Sequence, residues 1–349
     1  MSSISSAKSI LSGALFGAAL TAAGVYSPTV IVSQMKLESF HMLKVFLSAS
    51  ATSSVIFLLA HRLSPSLAPP RQSSSLSLFP YDGNLIGGLL LGIGMALTGA
   101  CPGTVLPQVV TGIRSGQFAL LGGILGGILY STLKPYIRRH STQCPQDANP
   151  TLYQKLDPKT DEAKAIYIYQ NFCWGVILLA SWFSGTNSES VLAPTWGGIL
   201  IGICQGTSLV LTGNTLGTSN AYEQVGDIFW WTLSSTSNTK TVEGNEKPTS
   251  TSQPTPRPTI KGTSFVLGIL LGSFTLSRLV TLPASTDSLD ISIPKALLGG
   301  LCMVFGARIA GGCTSGHGIS GMSLLSVASI ISVCAMFGGG IAWGLIVGA

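Results

Sequence analysis

Long apolar runs without charged side chains dominate this chain and alternate with short polar stretches. Asp, Glu, Lys and Arg are absent from residues 84–113, 115–133, 165–188, 190–222 and 309–349. A single helix needs about 20 apolar residues to cross the hydrocarbon core of a bilayer. Because several runs exceed that length, the pattern predicts an all-α, polytopic integral membrane protein with about 9–10 membrane elements.

Four segments repeat one pattern: a glycine-rich apolar helix, a break at small residues, and then a short apolar or polar piece. The repeat-like units that contain them lie at 10–60, 84–134, 194–233 and 294–347. Interrupted apolar segments in internal repeats are typical of transporters, and irregular backbone is tolerated at membrane depth only where it lines a cavity or is buried in protein. We therefore expect broken or re-entrant helices whose tips form a central path, within a single membrane transport domain spanning residues 1–349.

Two polar stretches separate these units. Residues 135–164 carry both signs of charge, which predicts an aqueous loop, and residues 234–261 have the composition of a disordered linker. If each broken segment makes one crossing, the N-terminus and the loops at 61–83 and 135–164 share one side. Their positive charge predicts that this side is cytoplasmic, although a re-entrant arrangement would change the count. We expect a retained first helix rather than a cleaved signal, and the plasma membrane as the location.

The composition argues against a water-facing fold. Charged residues make up 9% and hydrophobic residues 46% of the chain, whereas about 25% of the residues in a soluble domain are charged. The 42 glycines suit a membrane bundle, and the four-residue spacing of Gly122 with Gly126 and of Gly123 with Gly127 predicts a close helix contact. The positive residues behind the net charge of +6 lie mainly in loops, so no nucleic-acid partner is expected.

The seven cysteines show no CxxC motif and no paired spacing. Neither a zinc site nor a disulfide framework is predicted, and no metal or cofactor is expected. Cys101 and Cys313 differ from the others, because each follows a glycine-rich apolar helix at a break. The remaining cysteines are interpreted as packing residues or, for the first of them, as a loop residue without a specific role: Cys144, Cys173, Cys204, Cys302 and Cys334.

Cys101 is followed by Pro102, Gly103 and Thr104. Pro102 cannot continue the hydrogen bonding of the preceding helix and disfavours α geometry at Cys101, while Gly103 adds backbone freedom. The next short helix would then present free N–H groups to an anion. A thiol is a weak donor with a polarizable sulfur, so it can hold a soft sulfur anion without trapping it. A small buried packing residue is an equal alternative for this motif alone, but its recurrence at Cys313 favours function.

Two polar residues flank Cys313. Arg308 lies in an otherwise apolar segment, where an arginine is costly and by default functional. It either concentrates anions near the path or snorkels to an interface. His317 follows Gly316 in the second cysteine motif and is interpreted as a donor to the anion rather than as a helix cap.

The third repeat offers neutral hydrogen-bonding groups near its break. Packing and capping are the favoured roles of Gln205, Thr212, Asn214, Thr215 and Ser219. Glu223 and Asp227 follow them and would repel an anion on the path, so these two carboxylates are expected near an interface.

The motifs GACPGT at 99–104 and GGCTSGHGISG at 311–321, together with the repeat layout over nearly the whole chain, resemble the YeeE/YedE family of sulfur-transport membrane proteins. The resemblance implies an all-helical, hourglass-shaped fold with broken helices that meet at mid-membrane. It also implies thiosulfate uptake, with the anion passed between cysteine thiols and with Cys101 and Cys313 as two of the relay residues. The family has a further relay cysteine in its first repeat, where this chain has Tyr26 and Ser27.

These observations favour transmembrane transport of thiosulfate or a closely related inorganic sulfur anion through a central path lined by cysteine thiols. The expected path residues are Cys101, Pro102, Gly103, Thr104, Arg308, Cys313, Gly316 and His317. The expected partners are the sulfur anion, the lipid bilayer and, as a further candidate, a soluble sulfur-carrier protein. The chain has no GxxxxGK[ST] signature, so the driving force is expected from an ion gradient or from consumption of the anion.

Two other functions remain as alternatives. One is a non-transporting membrane subunit that anchors a sulfur-handling partner. The other is a membrane enzyme with Cys101 as nucleophile, which is the weakest interpretation because His317 is its only plausible base. The chain is therefore expected not to be an enzyme, and no catalytic residue is predicted.

Overall fold

The computed structural model describes residues 2–64, 67–141, 150–157, 159–183, 190–239, 260–283 and 289–348. Within these ranges the chain forms helices and one isolated bridge between Thr151 and Ser326, which confirms the all-α class. The helices are α1 (Ser2–Ala22), α2 (Pro28–Met35), α3 (His41–Leu63), α4 (Asp82–Thr98), α5 (Val105–Val110), α6 (Arg114–Ser141), α7 (Leu152–Leu156), α8 (Glu162–Phe183), α9 (Pro194–Thr212), α10 (Ser219–Thr239), α11 (Lys261–Leu279), α12 (Ile293–Ile309) and α13 (Val327–Trp343). Two π-helical segments, Thr314–Gly321 and Gly344–Gly348, follow α12 and α13. Cys144 and residues 240–259 of the expected linker lie outside the described ranges.

Seven of the described helices are long and apolar enough to cross a membrane: α1, α3, α6, α8, α9, α11 and α13. An eighth candidate is formed by α12 and the π-helical segment after it, which are bent by 45° relative to each other. The broken α4–α5 unit and α10 pack within the same bundle. These ten elements in the described ranges agree with the upper end of the expected number, and the protein is a multi-pass membrane protein.

Each of the four repeats breaks at a glycine with a left-handed backbone. The φ angle is +72° at Gly24, +59° at Gly99, +69° at Gly213 and +83° at Gly311. Glycine adopts this conformation without steric cost, which is why it commonly ends helices. The four glycines follow α1, α4, α9 and α12, so the breaks lie where the sequence pattern predicts them.

Glycines bring α6 into close contact with α10 and α12. A methyl group added to Gly122 would collide with the carbonyl oxygen of Leu297, and one added to Gly126 would lie 2.7 Å from the carbonyl oxygen of Leu301. Both of those carbonyls belong to α12. A methyl group at Gly127 would likewise collide with the backbone of α10. The close-packing face predicted on α6 is therefore confirmed, and it holds α10 and α12 against this helix.

The four breaks meet inside the bundle. Gly99 packs against the first residue of α2, since a methyl group at Gly99 would lie 2.7 Å from Cβ of Pro28. Gly103, after the second break, faces Thr218 after the third. The hydroxyl of Thr218 in turn lies 3.3 Å from the sulfur of Cys313 after the fourth break. The helix tips are thus brought together, as a central path requires.

Three segments lie together at one end of the bundle. Ser9 of α1 and Arg71, in the segment before α4, line the same cavity. Lys155 of α7 donates a hydrogen bond of 2.5 Å to the hydroxyl of Tyr81, which immediately precedes α4. The start of α1, the segment before α4 and α7 therefore share a side, as the single-crossing count predicts.

The polar stretch at 135–164 is more helical than expected. α6 continues through Pro135 to Ser141, and α7 occupies Leu152–Leu156. The apolar pattern ends where a helix leaves the hydrocarbon, whereas backbone hydrogen bonding continues beyond that point. For this reason the sequence pattern places the end of α6 too early.

Candidate functional site

The sulfur of Cys313 lies in a cluster of hydrogen-bond donors after the fourth break. Its Sγ is 3.2 Å from Ser315 Oγ and 3.3 Å from Thr218 Oγ1. Thr218 directly precedes α10, so the positive end of that helix lies near the thiol. Cys313 is only 1% exposed. Donors concentrated around a buried sulfur stabilise negative charge at that point.

Cys101 is held by a reciprocal pair of hydrogen bonds with Thr104. The backbone N–H of Cys101 donates to Thr104 Oγ1 at 2.8 Å, and the backbone N–H of Thr104 donates to the sulfur at 3.3 Å. The carbonyl oxygen of Pro102 accepts from the hydroxyl of Tyr222 at 3.0 Å. This last bond joins the second break to α10, so the turn around Cys101 is fixed from both sides.

Thr218 is the residue that both thiol sites share. Besides its contact with Cys313, it lies beside Gly103, where an added methyl group would be 3.6 Å from Thr218 Oγ1 and 3.8 Å from the sulfur of Cys101. Thr218 is fully buried. Thr218 was not identified from the sequence, although the adjacent Ser219 was considered. The signal in the sequence was a hydroxyl directly after Gly217, at the end of the third break.

A small apolar cavity, the inner chamber, lies next to Cys101. Its lining includes Gly103, Thr104, Thr314 and Ser315, together with apolar side chains of α1, α3 and α9. Its volume is about 40 Å³, which is room for no more than one or two water molecules. The interior of the bundle next to Cys101 is therefore narrow in this conformation.

On the side of Cys313 lies a polar cavity of about 290 Å³, here called the Arg71 cavity. Arg71 and Lys261, the first residue of α11, are the cations among its described lining residues. Arg71 Nη1 donates to the carbonyl oxygen of Gly311 at 3.0 Å. Sequence analysis did not identify Arg71, because it lies in an irregular Ser- and Pro-rich segment that has no periodicity.

A second polar cavity, of about 340 Å³, is lined by the C-terminal part of α11 and is here called the Tyr26 cavity. Arg278 is its cation among the described lining residues. Tyr26 is 4% exposed, and its hydroxyl donates to the carbonyl oxygen of Pro283 at 3.5 Å. Its neighbour Val25 lines the inner chamber. Two consecutive residues, Val25 and Tyr26, thus line the inner chamber and the Tyr26 cavity, respectively.

A family model described as sulphur transport matches residues 22–342, a range that contains all four breaks and both cysteine motifs. The chain belongs to the sulphur-transport family. The resemblance of its cysteine motifs to YeeE/YedE proteins is thereby confirmed. A similar curated protein is a "Probable transporter" of Xylella fastidiosa (strain 9a5c), which is 36% identical over 69 residues. That match covers 20% of this chain and spans 50% of the length of the relative.

In this member of the sulphur-transport family, Tyr26 has the position in the first break that a cysteine has in the second and fourth breaks. Tyr26, Cys101 and Cys313 each lie two residues after the left-handed glycine of their break, and Thr215 has the same position in the third break. The four equivalent positions thus carry a phenol, a thiol, a hydroxyl and a second thiol. That Tyr26 and Ser27 stand where the family's further relay cysteine is expected stays a prediction from the resemblance.

Arg308 of this sulphur-transport protein is neutralised by an ion pair. Its guanidinium contacts the carboxylate of Glu223 and donates to Asn220 Oδ1 at 2.7 Å. It also lies 5.5 Å above the ring of Tyr130. Glu223 is 8% exposed and pairs in addition with Lys134. Glu223 is buried in the bundle, where two cations compensate its charge; its expected place near an interface stays a prediction.

His317 is fixed by hydrogen bonds at both ring nitrogens. Nε2 lies 3.0 Å from the carbonyl oxygen of Ala310, and Nδ1 lies 3.0 Å from Ser329 Oγ. Since a carbonyl oxygen only accepts, Nε2 carries the proton and Nδ1 accepts from the serine. The ring therefore joins the π-helical segment to the end of α12 and to α13. It has no N–H left for an anion in this conformation.

The polar residues of the third repeat hold its break in shape. Gln205 Oε1 accepts from the backbone N–H of Leu216 at 3.1 Å and from the hydroxyl of Ser320 at 2.6 Å. Thr212 Oγ1 donates to the carbonyl oxygen of Ser208 at 2.8 Å. These contacts agree with the packing and capping roles expected from the sequence.

In the described ranges, no three His, Cys, Asp or Glu side chains are grouped as a metal site would require.

Proposed function

We propose that this member of the sulphur-transport family conducts thiosulfate, or a closely related inorganic sulfur anion, across its membrane. The observation that supports the proposal most is the position of Thr218, which contacts the sulfur of Cys313 and lies beside Gly103 next to Cys101. The two thiols thereby become successive contacts on one route. The route runs from the Arg71 cavity past Cys313 and Cys101 to the inner chamber and then to the Tyr26 cavity.

The proposed passage uses hydrogen bonds and soft sulfur contacts, without covalent chemistry. At Cys313 the donors of Ser315, Thr218 and the α10 N-terminus stabilise the negative charge of the anion. The sulfane sulfur of thiosulfate then exchanges its contact with one thiol for a contact with the other. Because a thiol is a weak donor, each contact is easily broken, as conduction requires.

Passage through the inner chamber requires side chains to move. A volume of about 40 Å³ is too small for a thiosulfate ion beside the surrounding atoms, since it accommodates only one or two waters. The described conformation is thus proposed to be a closed state, and transport alternates between this state and one in which the chamber is wider.

A role without catalysis is part of the proposal. Cys101 bonds to Thr104, and His317, the base that the sequence suggested for it, uses both ring nitrogens elsewhere. A nucleophilic thiol needs an adjacent base or a specific thiolate-stabilising charge. We also propose the plasma membrane as the location and a soluble sulfur-carrier protein as the acceptor on the cytoplasmic side.

The test is anion flux into proteoliposomes, with thiosulfate, sulfite and sulfate measured side by side. Wild-type protein is expected to pass thiosulfate, and Cys101→Ala is expected to abolish that flux because the route loses its middle contact. The matched control is Cys334→Ala, since Cys334 is exposed on α13 and lines none of the cavities described. Both variants should elute as the wild type does in size-exclusion chromatography.

Two results would contradict this proposal. Unchanged thiosulfate flux in Cys101→Ala would exclude the thiol relay. An absence of flux in the wild type, combined with co-purification of a soluble sulfur-handling protein, would favour the anchoring subunit instead.

A further inference from the structure

The guanidinium of Arg71 lies directly against the backbone that carries Cys313. A methyl group added to Gly312 would lie 2.9 Å from Arg71 Nη1, and one added to Gly316 would lie 2.9 Å from Arg71 Nη2. Gly312 directly precedes Cys313, and Gly316 directly follows Ser315, whose hydroxyl lies 3.2 Å from the sulfur of Cys313. The charge of Arg71 therefore lies against residues on both sides of this thiol. The two glycines leave the space that the guanidinium occupies.

The charge of Arg71 is not compensated by a carboxylate. Within the described ranges, no Asp or Glu forms an ion pair with it, and its hydrogen bond to Gly311 uses a neutral carbonyl oxygen. Arg308 contrasts with it, since that arginine pairs with Glu223. A guanidinium offers five N–H donors, so one bond to a carbonyl leaves others available to a ligand.

The surroundings of Arg71 suit an anion of a few heavy atoms. The Arg71 cavity of about 290 Å³ contains a second cation, Lys261, and has no carboxylate among its described lining residues. Asn220, in the first turn of α10, also lines it. Two cations and the positive end of a 21-residue helix therefore act on the same space.

We propose that the Arg71 cavity is a binding site for a small dianionic oxyanion, with Arg71 as the residue that anchors it next to Cys313. This proposal rests on the proposed function and deepens it, because it names Arg71 as the residue that selects anions by their charge on the route. A planar guanidinium binds two oxygens of a sulfur or phosphorus oxyanion at once, which a lysine ammonium cannot do. The anion is thereby held with its remaining sulfur or oxygen atom free to meet the thiol.

The experiment compares Arg71→Gln, Arg71→Lys and the matched control Arg62→Gln in the purified full chain. Arg62 is an exposed arginine at the end of α3 and does not line the Arg71 cavity. In proteoliposomes, Arg71→Gln should raise the KM for thiosulfate by about tenfold or more, and Arg71→Lys should raise it less. Arg62→Gln should behave as the wild type.

A second measurement does not depend on transport. Thermal unfolding in detergent is followed with added sodium thiosulfate and, at equal ionic strength, with sodium chloride. A ligand that binds the folded state raises Tm, so thiosulfate should raise the Tm of the wild type and of Arg62→Gln more than chloride does. Arg71→Gln should lose that difference.

The outcomes separate the two proposals. If the wild type passes thiosulfate and Arg71→Gln has an unchanged KM and an unchanged Tm response, the anion site is refuted while the transport function stands. If the wild type passes no thiosulfate but shows the Arg71-dependent rise in Tm, the site is supported and the transport function fails. A wild type with neither flux nor a thiosulfate-specific rise in Tm overturns both.

Discussion

At the scale of single residues, Gly103 matters because its missing side chain leaves space between the two thiols. An added methyl group would make ordinary van der Waals contacts with Thr218 and with the sulfur of Cys101, at 3.6–3.8 Å. The backbone of Gly103 does not have a positive φ angle. An alanine at this position is therefore compatible with the fold, and yet it would occupy the gap that the proposed route crosses between Cys101 and Cys313.

We expect Gly103→Ala to fold normally and to lose most of its thiosulfate flux. The reason is steric obstruction of the route rather than strain. The measurement is proteoliposome flux together with Tm, and the control is Gly338→Ala in α13, where no atom lies within 4 Å of the added methyl group. A Gly103→Ala protein with wild-type Tm and wild-type flux would show that the anion does not pass between these residues.

The two cysteines illustrate what single residues reveal in the sequence. A thiol after a glycine at a helix break is a local pattern, so Cys101 and Cys313 were identifiable without coordinates. Arg71 was not, because the carbonyl that it contacts lies 240 positions away in the chain. Arg308 was recognised as unusual, but its partner Glu223 belongs to another helix. Pairings of this kind depend on tertiary packing, which a local pattern does not encode.

At the scale of elements, α10 links the buried ion pairs of the bundle to the proposed route. Glu223, in its second turn, pairs with Arg308 of α12 and with Lys134 of α6. Thr218, directly before α10, contacts the sulfur of Cys313, so these bonds hold the start of α10 beside the thiol. We therefore expect the ion pairs to have a positioning role, with Arg308 acting through α10 rather than on the anion.

Glu223→Gln is expected to destabilise the protein by about 3 kcal/mol, since a buried Arg308 then lacks its countercharge. The double variant Arg308→Met with Glu223→Gln should recover most of that loss and retain thiosulfate flux. Thermal unfolding in detergent and proteoliposome flux measure the two effects. If the double variant is stable but has lost flux, Arg308 acts on the anion directly, as the sequence alone suggested.

The breaks between elements were predicted more accurately than the helix ends. A glycine after a charge-free apolar helix gives a clear signal, because the left-handed conformation requires that residue. The end of α6 at Ser141 carries no such signal. The π-helical form of Thr314–Gly321 was also not foreseen, since it is stabilised by contacts of His317 with α12 and α13.

At the scale of the whole molecule, a narrow interior separates two polar cavities. The Arg71 cavity and the Tyr26 cavity lie at the two ends of α11, and the inner chamber lies between Cys101 and Val25. Tyr26 follows Val25 in the chain and lines the second of these polar cavities. A phenol at this position, where the family resemblance implies a thiol, is expected to act as a barrier rather than as a sulfur contact.

Tyr26→Ala is expected to raise the flux of thiosulfate and to reduce the preference over sulfate, because removal of the ring joins the inner chamber to the Tyr26 cavity. Tyr26→Phe keeps the ring and loses only the long hydrogen bond to Pro283, so its flux should stay close to that of the wild type. Flux ratios for the two anions in proteoliposomes provide the measurement. Equal ratios in Tyr26→Ala and the wild type would argue against a barrier at this residue.

The inner chamber has a consequence for protons. Protons cross membranes rapidly along continuous files of water, in which each molecule passes its proton to the next. A cavity of about 40 Å³ holds one or two waters at most, and most of the side chains around it are apolar. In the described conformation the chamber therefore does not hold a continuous file of water, and a membrane that contains the closed protein is expected to stay tight to protons.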